Sequence, residues 1–294
     1  MKGKPMKGMR EFNIDTRMGA MAGLRVDAPD APRVLALHGW LDNAASFLPL
    51  QPYLGGIELV ALDMPGHGAS AHLPETAEYT VVNTARTIFA AADALGWQRF
   101  SLLGHSLGGA VASVMAAAAP ERIERLGVIE SLGALSREQG HNVTSLREAF
   151  AGLEAEPQRP LRVFPDPAAA VRARVRAGGI GEAAARLLVE RGLAPARGED
   201  GPRGFSWRSD PRLTRPTAIR MSEEQVRELL AAIECPVRVI YAEPAQVYFP
   251  EAQRRARFDC LRDGQLVVLP GGHHLHMEAP AEVAAALAGF FDGR

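Results

Sequence analysis

Arg99-Phe-Ser-Leu-Leu-Gly104-His105-Ser106-Leu107-Gly108-Gly109-Ala110 is the stretch that decides how this 294-residue chain folds. Arg99 to Leu103 is a short apolar run that closes on Gly104, as a buried parallel strand does. Leu107 to Ala119 is Ala-rich and stops at Pro120, as a helix does. Between them lies G-x-S-x-G, which makes a sharp strand-to-helix turn with the serine in strained backbone geometry. Side chains two residues either side of that serine would clash, hence Gly104 and Gly108, and Gly109 adds room. The turn lifts the Ser106 hydroxyl above the sheet edge. It also aims the free N–H groups and positive end of a helix at any oxyanion formed there.

Working outward, three more runs of the same kind appear. Arg33 to Leu37 ends in His38-Gly39, Ile57 to Leu62 ends in Asp63-Met-Pro-Gly66, and Arg125 to Ile129 ends in Glu130. Val82 to Leu95 has apolar residues at helical spacing, with Gly96 at the capping position. Two late strands are expected at Val237–Tyr241 and Leu266–Leu269, and a final helix at Ala281–Phe291. Strand–helix alternation predicts a parallel sheet with helices on both faces. Residues 136–230 read differently: no strand-like run, many Arg, Ala, Gly and Pro, and breakers from Pro195 to Pro216. We expect a helical insertion with one long irregular loop. The division is 1–135 and 231–294 for the two parts of the core, with 136–230 as a lid or cap. Arg172, Arg174 and Arg176 read as a solvated helix face rather than a substrate-facing patch.

The remaining candidates are placed by where strands end. Two donors must meet the oxygen of a tetrahedral intermediate. They are expected to be the backbone N–H groups of Leu107 and of Trp40, in the loop after an earlier strand. The Trp40 ring either lines a pocket or fills a core. Asp42 and Asn43 should shape that loop through local side-chain to backbone bonds. The base for Ser106 must arrive on a loop at the same sheet edge, and Pro270-Gly-Gly-His-His-Leu-His276 follows the last strand. His273, directly after the glycines, is the choice over His274 and His276. A carboxylate must fix the tautomer of that imidazole. Glu130 is preferred, because its strand end lies beside the one carrying Ser106, and Glu243 in Ala242-Glu-Pro-Ala-Gln246 is the alternative. The order Ser106, Glu130, His273 is the order this kind of sheet uses.

Composition narrows the classes of function. The net charge is −1 and the pI about 6.7, which offers nothing to nucleic acid or an anionic surface. Cys235 and Cys260 read as reduced thiols. Lys2, Lys4, Lys7 and Arg10 imitate the start of a signal peptide, but Glu11, Asn13, Asp15 and Arg17 interrupt any apolar run. Ala110 to Ala119 is too short to span a bilayer. The chain therefore reads as cytoplasmic, without stable membrane insertion. No P-loop, dinucleotide fingerprint or metal-spaced cluster is present, so no cofactor and no metal are expected.

Four stations in order, His38-Gly-Trp40, Asp63-Met-Pro-Gly-His-Gly68, Gly104 to Gly109, and Gly272-His273 through Glu278 and Pro280, resemble the α/β-hydrolase superfamily. The run His38-Gly-Trp-Leu-Asp-Asn-Ala-Ala-Ser-Phe47 further resembles its serine hydrolase-like subgroup. The resemblance covers about residues 20–135 and 235–294. It implies an eight-stranded, mostly parallel sheet flanked by helices, with an inserted helical lid after the sixth strand. It makes Asp63–Gly68 a structural turn, so His67 is not made catalytic. The family's usual acid position, after the seventh strand, holds Ala245 here, and some relatives carry the acid after the sixth strand instead. Haloalkane dehalogenases and epoxide hydrolases of this fold use an aspartate where Ser106 stands.

The expected reaction is cleavage of a carboxylic ester or related acyl bond in a small molecule, through a Ser-His-Glu triad and an acyl-enzyme. Carbon–carbon, thioester and amide cleavage use the same triad. A non-catalytic ligand-binding homologue would show a damaged triad. Substrate identity and oligomeric state are not legible in the sequence.

Overall fold

The computed structural model describes residues 8–137, 140–155, 162–197 and 203–292. Its elements in chain order are β1 (Arg10–Thr16), β2 (Gly19–Val26), β3 (Arg33–Leu37), β4 (Glu58–Leu62), α1 (Val81–Ala94), β5 (Phe100–His105), α2 (Leu107–Ala118) and β6 (Ile123–Ile129). An inserted stretch follows, with α3 (Asn142–Ala155), α4 (Pro167–Gly178), α5 (Glu182–Gly192), β7 (Leu193–Arg197), β8 (Arg203–Trp207) and α6 (Glu223–Ala231). The chain then returns with β9 (Val237–Glu243), α7 (Glu251–Phe258), β10 (Gly264–Pro270), α8 (Leu275–Glu278) and α9 (Pro280–Ala286).

Eight strands form one sheet in the order β1-β2-β4-β3-β5-β6-β9-β10. The β1–β2 and β2–β4 pairs are antiparallel, and the pairs from β4 through β10 are parallel. The central strands read as uninterrupted apolar runs because both faces are covered, and β3, β4, β5 and β6 are almost wholly buried. One apolar core joins the sheet to α1, α2 and α6. A second, on the other face, brings in Phe47, Leu50, Leu275, Val283 and Leu287. The strand order reverses direction about β3 and β5, whose carboxyl ends therefore open a crevice. Glycine permits α2 to press onto the sheet: a Cβ on Gly108 would lie 2.0 Å from the Leu37 carbonyl oxygen.

The inserted stretch departs from the sequence reading in one respect. It is not only helical, because β7 and β8 form an antiparallel hairpin, from Leu193 opposite Trp207 to Arg197 opposite Arg203. Pro195 and Gly204 disguise these strands in the sequence. Phe164, Val171, Ala185, Leu188, Val189 and Leu193 make a third small core, which Met277 of α8 joins. Polar ties fasten this stretch to the main sheet. Arg191 pairs with the buried Asp63 at 2.8 Å, Asn43 Nδ2 donates to the Leu188 carbonyl at 2.8 Å, and Asp210 N donates to that of Gly66 at 2.8 Å. At the carboxyl terminus the expected helix is shorter than its apolar pattern, with α9 ending at Ala286 and turns carrying Phe290 and Phe291 into the core. No helix among the described residues is long and apolar enough to cross a membrane.

Candidate active site

Ser106 sits between β5 and α2 with φ +51° and ψ −116°, a conformation that a side chain tolerates only under constraint. Its N–H donates to the Ile129 carbonyl at 3.0 Å, so the end of β6 holds the turn from one side. Its carbonyl accepts from Gly109 N and Ala110 N, which starts α2. The hydroxyl projects from the carboxyl edge of the sheet and donates to His273 Nε2 at 2.9 Å.

His273 follows the positive-φ Gly271 and the end of β10. Its carbonyl accepts from His105 Nε2 at 2.8 Å, which fastens its loop to the end of β5. With Nε2 accepting from Ser106, the proton belongs on Nδ1. Nδ1 faces two oxygens, Glu130 Oε2 at 3.4 Å and the Tyr248 hydroxyl at 3.3 Å.

Glu130 follows β6 directly and also has positive φ, +54°. Its N–H donates to the Ile240 carbonyl at 2.9 Å, which seats it between the ends of β5 and β9. One carboxylate oxygen accepts from Ala242 N at 2.5 Å and the other from Arg254 Nη2 at 3.1 Å. Glu130 is buried, whereas Glu243, the last residue of β9, is exposed. Ser106, His273 and Glu130 are thus brought into one hydrogen-bonded line, and Glu243 is not part of it.

The loop after β3 is held more tightly than its sequence suggests. His38 Nδ1–H donates to the Gly39 carbonyl at 2.7 Å, and His38 Nε2 accepts from Met64 N at 2.9 Å. Asp42 N also donates to the Gly39 carbonyl. A planar trans peptide carries its C=O and N–H on opposite sides. Pinning the Gly39 carbonyl inward therefore turns the Trp40 N–H outward from the buried histidine. Leu41 is forced to φ +59°, and its N–H donates to His67 Nε2 at 3.2 Å. His67 holds the loop rather than facing the serine, and both its ring nitrogens are occupied, Nδ1 by the Pro65 carbonyl. The Trp40 ring is no core residue: it is 52% exposed at the rim, and its Nε1–H donates to the Leu213 carbonyl.

The two side chains expected to shape this loop part company. Asn43 does cap locally, its oxygen accepting from Ala45 N at 3.1 Å. Asp42 does not. It is buried, ion-paired with Arg174 of α4 and hydrogen-bonded at 3.3 Å to His274 Nε2. That Arg174 contact corrects the reading of the arginine cluster as a solvated face, since burial of Asp42 demands a cation. Asp42 stays far below the usual carboxylate range despite burial, held there by His274 and Arg174.

Behind His273 lies a buried set of rings that the sequence showed only as letters. His105 and His276 lie tilted against each other with ring centroids 4.1 Å apart, and Ser46 Oγ donates to His276 Nε2 at 2.5 Å. Ser46 and His276 are both fully buried, so this second serine–imidazole pair has no access for a substrate. Burial pushes His276 and His67 down to about 3, His105 well down and His38 down. In an unfolded chain such rings titrate near 6.5. The unfolded state thus binds more protons below pH 6.5, and stability falls as pH drops from there towards about 3. The buried Asp42 carboxylate, held below its ordinary range, acts with the same sign at lower pH. We expect the thermal midpoint to fall by about 10 °C or more between pH 7.5 and 4.5. Differential scanning fluorimetry checks this, and a flat midpoint over that range would contradict the buried, neutral rings.

Among the described residues no group of three or more His, Cys, Asp or Glu side chains is arranged to hold a metal ion. The arrangement can deliver a serine alkoxide to a carbonyl carbon without one.

Comparison with known proteins places this geometry. The α/β-hydrolase-fold family model matches residues 32–176. A serine hydrolase-like protein of Dictyostelium discoideum is 32% identical over 84% of this chain and 71% of its own. The chain belongs to the serine hydrolase-like proteins of the α/β-hydrolase superfamily. A serine hydrolase-like protein of Danio rerio is 30% identical over 95% of this chain and 87% of its own. The crystal structure of a hypothetical protein from Pseudomonas aeruginosa PAO1 superposes with a TM-score of 0.89 at 40% identity, covering 97% of this chain and 99% of that one. Membership makes this α/β hydrolase a hydrolase by class and leaves the bond it cleaves to its own site.

Proposed function

We propose that the chain is a serine esterase that cleaves a carboxylic ester of a small molecule through an acyl-enzyme. The observation that carries this reading is the hydrogen-bonded line from Ser106 Oγ to His273 Nε2 at 2.9 Å and from His273 Nδ1 to Glu130. His273 takes the Ser106 proton as the hydroxyl attacks the ester carbonyl carbon, and the carbonyl pair of electrons moves onto oxygen. The backbone N–H groups of Leu107, at the start of α2, and Trp40, on the pinned Gly39 peptide, hold that oxyanion. The tetrahedral species collapses, His273 gives its proton to the departing alkoxide, and the alcohol leaves. Water then attacks the acyl-enzyme with His273 again as base, releasing the acid and Ser106. No metal or cofactor takes part.

The inserted stretch between β6 and β9 acts as the cap that selects the acyl group. Its α4 and α5 are fastened to the sheet by Arg174–Asp42 and Arg191–Asp63. The exposed rings of Trp40 and Tyr248 at the rim favour an apolar substrate portion.

Hydrolysis of p-nitrophenyl esters of increasing acyl length tests this. We expect turnover, with a preferred length set by the cap. Absence of turnover on every ester, from a protein whose Ser106 still reacts with a fluorophosphonate, would move the triad to another acyl or carbon–carbon substrate.

A further inference from the structure

The acid of this triad is not a free carboxylate. Glu130 Oε2, the oxygen facing His273 Nδ1, also accepts from Arg254 Nη2. Arg254 of α7 is 4% exposed, which for an arginine requires compensation at every donor. Its Nε donates to the Phe249 carbonyl at 3.0 Å and its Nη1 to the Ala242 carbonyl at 2.8 Å, while its plane lies over the Tyr241 and Phe249 rings. One side chain therefore gathers the whole turn after β9 and clamps Glu130 from behind. The same turn carries Tyr248, whose hydroxyl is as close to His273 Nδ1 as Glu130 is. Burial and the nearby Glu130 push the Tyr248 phenol up, so it remains a neutral partner of the ring.

We infer that Arg254 is a positioning residue of the catalytic base: it fixes Glu130 beside His273 and offsets the carboxylate's charge there. This rests on the triad proposed above. Among the groups around His273, the buried rings of His105 and His276 supply no cation at neutral pH. His105 faces His273 from the end of β5, Ser106 from the β5–α2 turn, Tyr248 from the β9–α7 turn, His274 from its own loop and His276 from α8, with Asp42 beyond them. Asp42 is matched by Arg174.

A cation beside a carboxylate–imidazole pair lowers the pair's affinity for a proton, whichever member takes it. The acid limb of reactivity therefore lies at lower pH than a free carboxylate would place it. The readout is the rate at which a fluorophosphonate modifies Ser106 as a function of pH, which needs no knowledge of the natural substrate. Arg254→Met should move the acid limb up by about one pH unit. Arg254→Lys keeps the charge and loses the fork, and should slow modification while leaving the limb in place. If Arg254→Met fails to fold, the pair can be removed as a unit, which buried ion pairs often tolerate. Glu130→Gln alone leaves an unmatched cation near His273, so its acid limb should lie lower than that of Glu130→Gln with Arg254→Met. Coincident limbs in either comparison, with Ser106 still reacting, would reduce Arg254 to a structural residue and overturn the inference alone. Modification that does not map to Ser106 would overturn the triad beneath it.

Discussion

Ser106→Ala lowers kcat by on the order of a million-fold on any ester the wild type turns over. The hydroxyl is the atom that becomes acylated, and no neighbouring group can replace it. Among the described residues, the other serine hydroxyl bonded to an imidazole, that of Ser46, is fully buried against His276. The fold should survive the change. Alanine meets the same positive φ as serine, so the strain of the elbow is unaltered, and only the hydrogen bond to His273 is lost. The melting temperature should stay within a few degrees of wild type, which separates lost chemistry from lost structure. Wild-type rates in Ser106→Ala would remove the nucleophile from the account.

Glu130→Gln should lower kcat by about 10⁴-fold with little change in KM, as loss of the triad acid does when geometry is otherwise kept. The size of the effect comes from the tautomer. Carboxylate oxygens only accept, so Glu130 requires the proton on His273 Nδ1 and leaves Nε2 free for the Ser106 proton. A glutamine amide can donate to Nδ1 and stabilise the opposite tautomer, in which Nε2 already holds a proton. Glu243→Gln should change kcat by less than about twofold, because an exposed side chain outside the hydrogen-bonded line contributes little. Steady-state kinetics of the two variants check this, and the reverse ranking would move the acid to Glu243.

The parts of the fold that were legible are those where burial leaves one reading. The runs ending at Leu37, Leu62, Leu103 and Ile129 are central parallel strands, apolar on both faces, and match β3 to β6 closely. Edge elements were harder. In β1, Phe12 and Ile14 face inward while Glu11, Asn13 and Asp15 face water, a period-two alternation too short to stand out beside the charged residues around it. Helix α7 reads Glu-Ala-Gln-Arg-Arg-Ala-Arg-Phe, and composition places its arginines in solvent. Arg254 and Arg257 are instead buried, each satisfied by backbone carbonyls and one carboxylate, Glu130 and Glu223 respectively. No local pattern reports carboxylate partners 124 and 34 residues away.

The site divides the same way. The nearness of Ser106 and His273 was legible because turn chemistry places both at strand ends of one sheet edge. The choice between Glu130 and Glu243 was open in the sequence, since both follow strands of the same sheet. In the structure Glu130 N donates to the Ile240 carbonyl and its carboxylate lies 3.4 Å from His273 Nδ1, while Glu243 ends β9 with its side chain exposed. Tyr248, Arg254 and the carboxylate of Asp42 were missed or misread for one reason. Each acts through a contact between segments distant in the chain, Asp42 with Arg174, Arg254 with Glu130 and Tyr248 with His273.

The most direct test of the central claim is to treat the folded protein with a fluorophosphonate and locate the adduct by peptide mass spectrometry. The account predicts a single modification on Ser106, slowed severely in His273→Ala. An adduct on another serine, or none on Ser106 in folded wild-type protein, would contradict it.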